Sequence, residues 1–182
     1  MPEWVSMPDV PDWDAEKRVS IERYEYAAAA LAGDGAPVLD CACGMGYGTE
    51  ILAETCGAIG IDIDPAAIEE AQLRYPHLGF LAADIYKIPM QDFRALVCFE
   101  TLEHLDRPEG VVTGLSQSIK QIVASVPIRP SVHCNPWHRR DFTADSFRAL
   151  IESGGFRIVA EHPQAWSDGK DMYLILHGVR TQ

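Results

Sequence analysis

The sequence lacks the long apolar run that a membrane-spanning helix requires. No stretch among its 182 residues approaches the roughly 18 uncharged apolar residues of such a helix. The opening segment, residues 1–14, is acidic and interrupted by proline rather than basic and then apolar. We therefore expect no signal peptide, no membrane anchor and a cytoplasmic location.

Positive charge is also scarce. The chain has 15 Lys and Arg against 27 Asp and Glu, for a formal net charge of −12. Because nonspecific nucleic-acid affinity comes mainly from basic side chains that displace counterions, this balance disfavours a nucleic-acid partner and leaves only a local basic site open. We expect a small-molecule partner instead.

Paired cysteine motifs are missing. The five cysteines are an odd number, none forms a CxxC pair, and Cys41 and Cys43 are too close together to suggest a disulfide framework or a zinc knuckle. Reduced thiols in a cytoplasmic protein are the simplest interpretation.

What the sequence does have is an alternation of short apolar runs and helical stretches from Ala36 onward, which is typical of βαβ units and a parallel sheet. At 182 residues and 47% hydrophobic, the chain has enough material for one sizeable core. We expect residues 1–35 to form an arm and a helix that act as a lid, and residues 36–182 to form one α/β domain.

The predicted elements are short and end at turn residues. The predicted strands are Val38–Asp40, Ala58–Asp62, Gly79–Ala82, Ala95–Phe99, Gln121–Val126, Phe156–Ala160 and Met172–Gly178. The predicted helices are Ala15–Leu31, Tyr47–Glu54, Pro65–Tyr75, Pro108–Ile119 and Thr143–Ser153.

The most informative stretch is an apolar strand that ends in Asp40 and Cys41 and leads into a turn with Gly44 and Gly46. Glycine lets the backbone adopt unusual φ values and lets a ligand lie against it. Ligands of open α/β sheets bind at the carboxyl ends of the strands, where this turn lies. The turn therefore predicts a cofactor site.

Further acids end the next strands. Asp62, followed by Ile63, ends the second strand where a nucleoside ribose would present two hydroxyls. At the third strand, Asp84 suits an adenine amine, and Ile85 would cover the ring. Glu100 ends the fourth strand at the same edge. Alternatively, these acids are helix caps or solvated loop residues. That interpretation suits Asp64 but accounts poorly for Asp40, Asp62 and Asp84 together.

With these residues, the segment from about Tyr24 to Ile158 resembles a class I S-adenosylmethionine-dependent methyltransferase of the small-molecule branch, similar to quinone and sugar methyltransferases. The resemblance implies a doubly wound, Rossmann-like sheet of seven strands in the order 3-2-1-4-5-7-6, with the last strand antiparallel. It implies S-adenosylmethionine as the cofactor, bound by the residues named above. Ala42 departs from the family, which frequently has glycine there.

A nicotinamide-dependent oxidoreductase shares the glycine turn and the ribose acid. Its fingerprint needs a third glycine, and Thr49 occupies that place here. Asp40 would also face a pyrophosphate unfavourably, whereas it can receive the ammonium of a methionine moiety. We therefore favour the methyltransferase.

Methyl transfer needs alignment and, for a hydroxyl or amine acceptor, a base. His104, which follows the fourth strand and should lie beside the cofactor, is the first candidate; His138 on the loop after the fifth strand is the second. Each is alternatively a structural histidine. Glu100, Glu103 and His104 also have a spacing that is seen in metal-assisted members of the superfamily, where a distant histidine completes the metal site. Relatives without a metal share this spacing.

Basic and aromatic side chains complete the candidates. Arg129, Arg139 and Arg140 are candidates to hold a carboxylate or phosphate of the acceptor, or else pair with Asp141 and Asp145. A separate aromatic set is a candidate wall for the methyl site or ordinary packing: Trp4, Trp13, Tyr24 and Trp137.

The sequence thus predicts methyl transfer to a small acceptor, with oxygen favoured over nitrogen. A noncatalytic S-adenosylmethionine-binding protein and a metal-assisted RNA 2′-O-methyltransferase are the alternatives. The sequence leaves the metal and the oligomeric state open.

Overall fold

A computed structural model of the chain describes residues 13–115, 117–165 and 169–181 and shows helices alternating with strands. The helices are α1 (Trp13–Ala30), α2 (Tyr47–Ala53), α3 (Pro65–Arg74), α4 (Pro108–Thr113) and α5 (Ala144–Ser153). The strands are β1 (Val38–Cys41), β2 (Ala58–Asp62), β3 (Gly79–Ala82), β4 (Ala95–Phe99), β5 (Gln121–Pro127), β6 (Phe156–Ala165) and β7 (Asp171–Arg180).

The seven strands follow the order β3-β2-β1-β4-β5-β7-β6. The pairs β1–β2, β2–β3 and β4–β5 are parallel, whereas β7 runs antiparallel to both β5 and β6. The predicted strand order and the antiparallel last strand are confirmed. Parallel neighbours require crossover connections, and α2 and α3 supply them in the first half of the chain.

Local sequence signals fix several helix ends. Asp64 is the N-cap of α3, its Oδ1 accepting the Ala66 N–H at 2.9 Å, and Pro65 occupies the first turn, where its missing N–H costs nothing. At α5, Thr143 and Ser146 form a reciprocal capping box. Gly154 caps the other end of α5.

Two predicted bounds are wrong by more than two residues. α4 ends at Thr113, with Gly114 as its C-cap, and not at Ile119. Leu115 and Ile119, which are buried, lie beyond this helix in irregular backbone, and their separation of four residues is also typical of a helix, which explains the wrong prediction. β6 continues to Ala165 with an irregular register between Ile158 and Ala160, so its apolar residues do not alternate as a simple strand would.

The chain divides into two compact units, Met1–Ile88 and Pro89–Gln182. In the N-terminal unit every residue of β1 is buried, and the side chains of Phe80, Ile68, Ala71 and Cys43 form an apolar cluster. Burial on both faces explains why β1 reads as an apolar run interrupted only by its acid. The predicted arm before residue 13, with Trp4, and the side chain of Trp13 lie outside the described residues.

In the C-terminal unit β4 is buried throughout and β5 along all but its first residue, whereas β6 is buried only at Phe156 and is half-buried or exposed along the rest of its length. α5 covers this sheet with Phe147, Leu150 and Ile151. Within the described ranges, no helix combines the length and apolarity needed to cross a membrane.

Candidate functional site

The glycine turn after β1 consists largely of left-handed backbone. φ is 56° at Ala42, 53° at Gly44 and 85° at Gly46. A Cβ is disfavoured at positive φ by roughly 1–2 kcal/mol, which gives a physical reason for the glycine that the family frequently has in place of Ala42. The turn is thus strained at one non-glycine residue.

Gly46 cannot be exchanged without moving a neighbour. A Cβ at this position would lie 2.7 Å from Cζ of Phe80 and 3.0 Å from Cβ of Ala71. A Cβ at Gly44, in contrast, would meet nothing within 4 Å. The turn therefore packs on the apolar cluster at Gly46 and is open at Gly44.

Asp62, the predicted ribose ligand, joins two turns of the N-terminal unit. Its Oδ2 accepts the N–H of Gly44 at 2.9 Å, and its Oδ1 accepts the N–H of Asp64 at 2.9 Å. The side chain is half-buried at the end of β2. Since a carboxylate offers about four lone-pair positions, each oxygen keeps the capacity for a second donor.

Asp40 lies beneath the turn and is fully buried. Its Oδ1 accepts the hydroxyl of Tyr24 at 3.1 Å, and its Oδ2 accepts the hydroxyl of Thr49 at 2.6 Å. Tyr24 belongs to α1 and packs its ring against Gly48, where any Cβ would overlap it. Asp40 thus links α1 and α2 to β1, and its contact with a cofactor ammonium stays a prediction.

Burial raises the pKa of Asp40 to about 7, although the hydroxyls of Thr49 and Tyr24 oppose the shift. The nearby Asp62 carboxylate adds to the rise. Near neutral pH the buried side chain therefore exchanges readily between its acid and carboxylate forms.

The predicted adenine acid, Asp84, follows β3. Its Oδ1 accepts the Tyr86 N–H at 3.0 Å, and Oδ2 lies 3.1 Å from Lys87 Nζ. The Tyr86 N–H, followed by Lys87, lowers the pKa of Asp84. Ile85 is half-buried, and Ile63 is 74% exposed. At the ends of β2 and β3 the chain thus exposes both polar and apolar side-chain surface, and contact with a cofactor stays a prediction.

In the C-terminal unit, Glu100 follows β4 with a positive φ of 46°. Its Oε1 accepts the hydroxyl of Ser125 at 2.7 Å, and its N–H donates to the Ser125 carbonyl at 3.1 Å. Strained backbone of this kind costs about 1–3 kcal/mol and often occurs at functional sites. Glu100 is thus held in a fixed orientation by β5.

Three candidate catalytic residues of the C-terminal unit lie close together. One ligating atom from each of Glu103, His104 and His138 lies within 4.8 Å of the others. Glu103 is buried, in a 3-10 turn at Leu102–His104, and its carbonyl accepts the Arg139 N–H at 2.7 Å. Among the described residues, Glu100 is not a member of this Glu-His-His cluster, so the predicted Glu/Glu/His set is only partly assembled.

The two imidazoles are anchored through the same nitrogen. Nδ1 of His104 lies 3.2 Å from the Trp137 carbonyl, and Nδ1 of His138 lies 2.6 Å from Oγ of Ser131. The rings are perpendicular, with centroids 4.7 Å apart. Burial, and then the neighbouring His104, lowers the pKa of His138 to about 4, so the ring is neutral at neutral pH.

The arginines have partners that the sequence did not predict. Arg140 contacts Glu109 at 2.6 Å, Arg139 lies 3.8 Å from Asp106, and Arg129 donates to the Asp171 carbonyl. The predicted partners are engaged elsewhere, since Asp145 pairs with Arg148 and Asp141 accepts backbone N–H groups. These arginines therefore form structural contacts, and a role toward the acceptor stays a prediction.

The sequence patterns did not predict the contacts of three residues, Thr49 in the N-terminal unit and Ser131 and Asp141 in the C-terminal unit. Thr49 appeared only as the residue in place of a third glycine, and Ser131 did not appear at all, although both hydroxyls contact candidate residues. Asp141 appeared only as an arginine partner. The contacts join residues that are 7 to 10 positions apart and are brought together by the folding of a turn or loop, so no short motif predicted them.

A family model described as a methyltransferase domain matches residues 38–122. A probable S-adenosylmethionine-dependent methyltransferase of Mycolicibacterium smegmatis is 27% identical over 158 residues, which are 79% of this chain and 62% of the relative. The chain thus spans about three fifths of the length of that relative. A ubiquinone biosynthesis O-methyltransferase of Xanthomonas axonopodis pv. citri is 28% identical over 59% of this chain and 51% of its own.

Among solved structures, the fold resembles the N-methyltransferase NodS of Bradyrhizobium japonicum in complex with S-adenosyl-L-homocysteine. The TM-score is 0.76 at 19% identity, and the match covers 94% of this chain and 90% of NodS. At this identity the likeness establishes the fold.

Proposed function

We propose, from the premise that this chain belongs to the class I S-adenosylmethionine-dependent methyltransferases, that it transfers a methyl group from S-adenosylmethionine to a small-molecule acceptor. The premise rests on the matched domain, on the relatives and on the strand order. The proposal adds the activity of this chain and the roles of its residues.

The observation that carries the proposal is the Asp62 carboxylate. It orders the glycine turn through the Gly44 N–H and still has lone pairs for the two hydroxyls of a ribose. The backbone at Gly44 is open, since even a Cβ added there would meet nothing within 4 Å, so a ligand can approach it closely. These residues fit a nucleoside cofactor, with Asp84 and Ile85 as partners for its adenine ring.

When bound, S-adenosylmethionine supplies an electrophilic methyl group on a sulfonium sulfur. The chain's own residues orient the acceptor and accept the proton that its hydroxyl loses. His104 and His138 suit this second task, because a protein oxygen orients each ring through Nδ1, and Nε2 is the ring nitrogen that points away from that contact. The buried Glu103 carboxylate, in the same cluster, favours the imidazolium that proton transfer creates.

Oxygen is the proposed acceptor atom. The support is the resemblance of the segment around Glu100–His104 to the quinone branch, together with the 28% identity to a ubiquinone biosynthesis O-methyltransferase. A neutral imidazole near a hydroxyl suits O-methylation, since the hydroxyl must lose a proton as the new C–O bond forms.

The test of the cofactor assignment is calorimetric titration with S-adenosylhomocysteine, with NAD as the control. We expect micromolar binding of S-adenosylhomocysteine and no binding of NAD. Asp62→Ala should weaken binding by about 10- to 100-fold, as loss of hydrogen bonds to a charged group predicts. Asp34→Ala, an exposed acid of the same unit, is the control. Unchanged affinity in Asp62→Ala would place the ribose elsewhere, and binding without turnover would indicate a noncatalytic protein.

A second candidate function is metal-assisted methylation of a hydroxyl. The Glu-His-His cluster favours it, because a carboxylate and two imidazoles suit divalent transition metals and lie within reach of one ion. Such an ion would polarise the acceptor hydroxyl and lower its pKa. The same cluster would serve an RNA 2′-hydroxyl, which the net charge of −12 disfavours.

Metal content of the purified protein decides between the two. If a metal takes part, EDTA abolishes turnover, Mn²⁺ or Zn²⁺ restores it, and Glu103→Gln lowers the bound metal measured by mass spectrometry. Full turnover in EDTA with no bound metal would leave the histidines as bases only. Salt-sensitive binding of RNA would indicate an RNA acceptor in place of a small molecule.

A further inference from the structure

The loop after β5 is closed by a single carboxylate. Oδ1 of Asp141 accepts the N–H of Ser131 at 2.6 Å and the N–H of Val132 at 3.0 Å, although the residues are nine and ten positions apart. The Ser131 N–H, followed by that of Val132, lowers the pKa of Asp141, so this carboxylate is ionised at neutral pH. The closure buries Ser131, which is 6% exposed.

The Ser131 hydroxyl lies between an imidazole and this carboxylate. Its Oγ is 2.6 Å from Nδ1 of His138 and 3.4 Å from Oδ1 of Asp141. A serine has one hydroxyl hydrogen, and an ionised carboxylate only accepts. Both contacts are therefore hydrogen bonds in one arrangement alone: Nδ1–H of His138 donates to Oγ, and Oγ–H donates to Oδ1 as the third and longest of the bonds that this oxygen accepts.

The opposite direction is electrostatically poorer. If Ser131 donated to Nδ1, an oxygen lone pair would face the Asp141 carboxylate across 3.4 Å. A chain in which each donor points toward the anion is instead mutually reinforced, because every bond polarises the next. The carboxylate thus selects the direction of the whole chain.

His104 is fixed in the same way by a different group. Its Nδ1 lies 3.2 Å from the carbonyl of Trp137, which can only accept, so Nδ1 carries the hydrogen. Trp137 is the neighbour of His138 in the same loop. One loop therefore sets the hydrogen positions of both imidazoles, whose rings are 4.7 Å apart.

We propose that Ser131 and Asp141 are positioning residues that hold His138 in the tautomer with hydrogen on Nδ1 and the lone pair on Nε2. The catalytic consequence rests on the proposed function, since an imidazole with hydrogen on Nε2 would offer a donor where the acceptor hydroxyl needs a base. The tautomer itself is a property of the protein without substrate.

The test is nuclear magnetic resonance of the ¹⁵N-labelled histidine rings, which distinguishes a protonated nitrogen from a bare one. His138→Gln assigns the signals. We expect a bare Nε2 in the wild-type chain, a mixture of tautomers in Ser131→Ala, and the wild-type pattern in Ser131→Thr, which keeps the hydroxyl. Ser153→Ala is the matched control, because this serine of the same unit donates to the Leu150 carbonyl and contacts no histidine.

Turnover provides the second measurement, with 3,4-dihydroxybenzoate as the probe acceptor. Ser131→Ala should lower kcat by about tenfold with KM and S-adenosylhomocysteine affinity unchanged, and Ser131→Thr should restore kcat. A hydrogen on Nε2 in the wild-type chain, or an unchanged tautomer in Ser131→Ala, would overturn the proposal. If the proposed function fails instead, wild-type turnover is absent while the ring spectra keep their expected pattern.

Discussion

Each of the two units holds a titratable side chain, fully buried Asp40 in one and half-buried His138 in the other, and desolvation moves their pKa values in opposite directions. In the N-terminal unit, burial raises the pKa of Asp40 to about 7. In the C-terminal unit, burial and His104 lower the pKa of His138 to about 4. The cause is the same, since a low-dielectric surrounding disfavours whichever form is charged.

Asp40 and His138 differ in which of their polar atoms are engaged in hydrogen bonds. Both oxygens of Asp40 accept hydroxyls from within its own unit, so this acid acts on the architecture of the glycine turn. Nδ1 of His138 contacts Ser131 in its own loop, and Nε2 is the nitrogen that the proposed base chemistry uses. The comparison predicts that changes in the N-terminal unit alter cofactor affinity and stability, whereas changes at the imidazoles alter turnover.

The largest expected effect is that of Gly46→Ala. Left-handed strain and the contact with Phe80 should each cost about 1–3 kcal/mol. Affinity for S-adenosylhomocysteine should fall by more than about 100-fold in calorimetry. Gly169→Ala, also at positive φ but with nothing within 4 Å, should leave the affinity unchanged. Equal losses in the two variants would show that the close packing of Gly46 against Phe80 does not set the affinity.

His138→Ala should lower turnover by about 100-fold, which is typical for the loss of a general base, and leave S-adenosylhomocysteine affinity within about twofold. His104→Ala tests the second imidazole in the same assay. A loss of affinity equal to the loss of turnover would show that the imidazoles do not act separately from the cofactor. Full turnover in both variants would exclude both as the base.

Asp40→Asn should change how stability depends on pH. Because its folded pKa is raised, Asp40 contributes stability that is fully present below its ordinary pKa of 3.8 and is lost as the pH rises through about 7. Between about pH 5 and pH 8, the wild-type free energy of unfolding should fall by about 2–3 kcal/mol more than that of the neutral variant. Urea denaturation at both pH values measures this, and parallel profiles would contradict the buried acid.

The smallest expected effect is the loss of stability when a surface ion pair is removed. Among the residues that the structure describes, Arg148 pairs with Asp145 and Glu161 and joins α5 to β6, whereas Arg74 pairs with Glu70 within α3. Arg148→Ala should lower the midpoint of urea denaturation only slightly, because exposed ion pairs contribute little to stability, and Arg74→Ala should lower it less. Neither should change S-adenosylhomocysteine affinity. A larger cost for Arg74→Ala would reverse the expected order.

Elements with strong local signals were predictable from the sequence. β2, β3 and β4 begin and end where predicted, because each is an apolar run bounded by turn residues or acids. The strand-end acids and the start of α3 at Asp64 and Pro65 are equally local. The ends of α4 and β6 were not predictable. Buried residues continue beyond α4 with a helical spacing, and the residues of a long hairpin strand need not alternate between buried and exposed positions.

The sequence by itself determined the strand order, through its resemblance to a family, and the presence of acids at successive strand ends. Only the tertiary structure decided what those acids contact. Tyr24 and Thr49 reach Asp40 from two different helices, and Asp141 reaches Ser131 across a loop. The physical reason is that strand ends follow from local patterns, whereas a hydrogen bond between distant residues depends on how the chain packs.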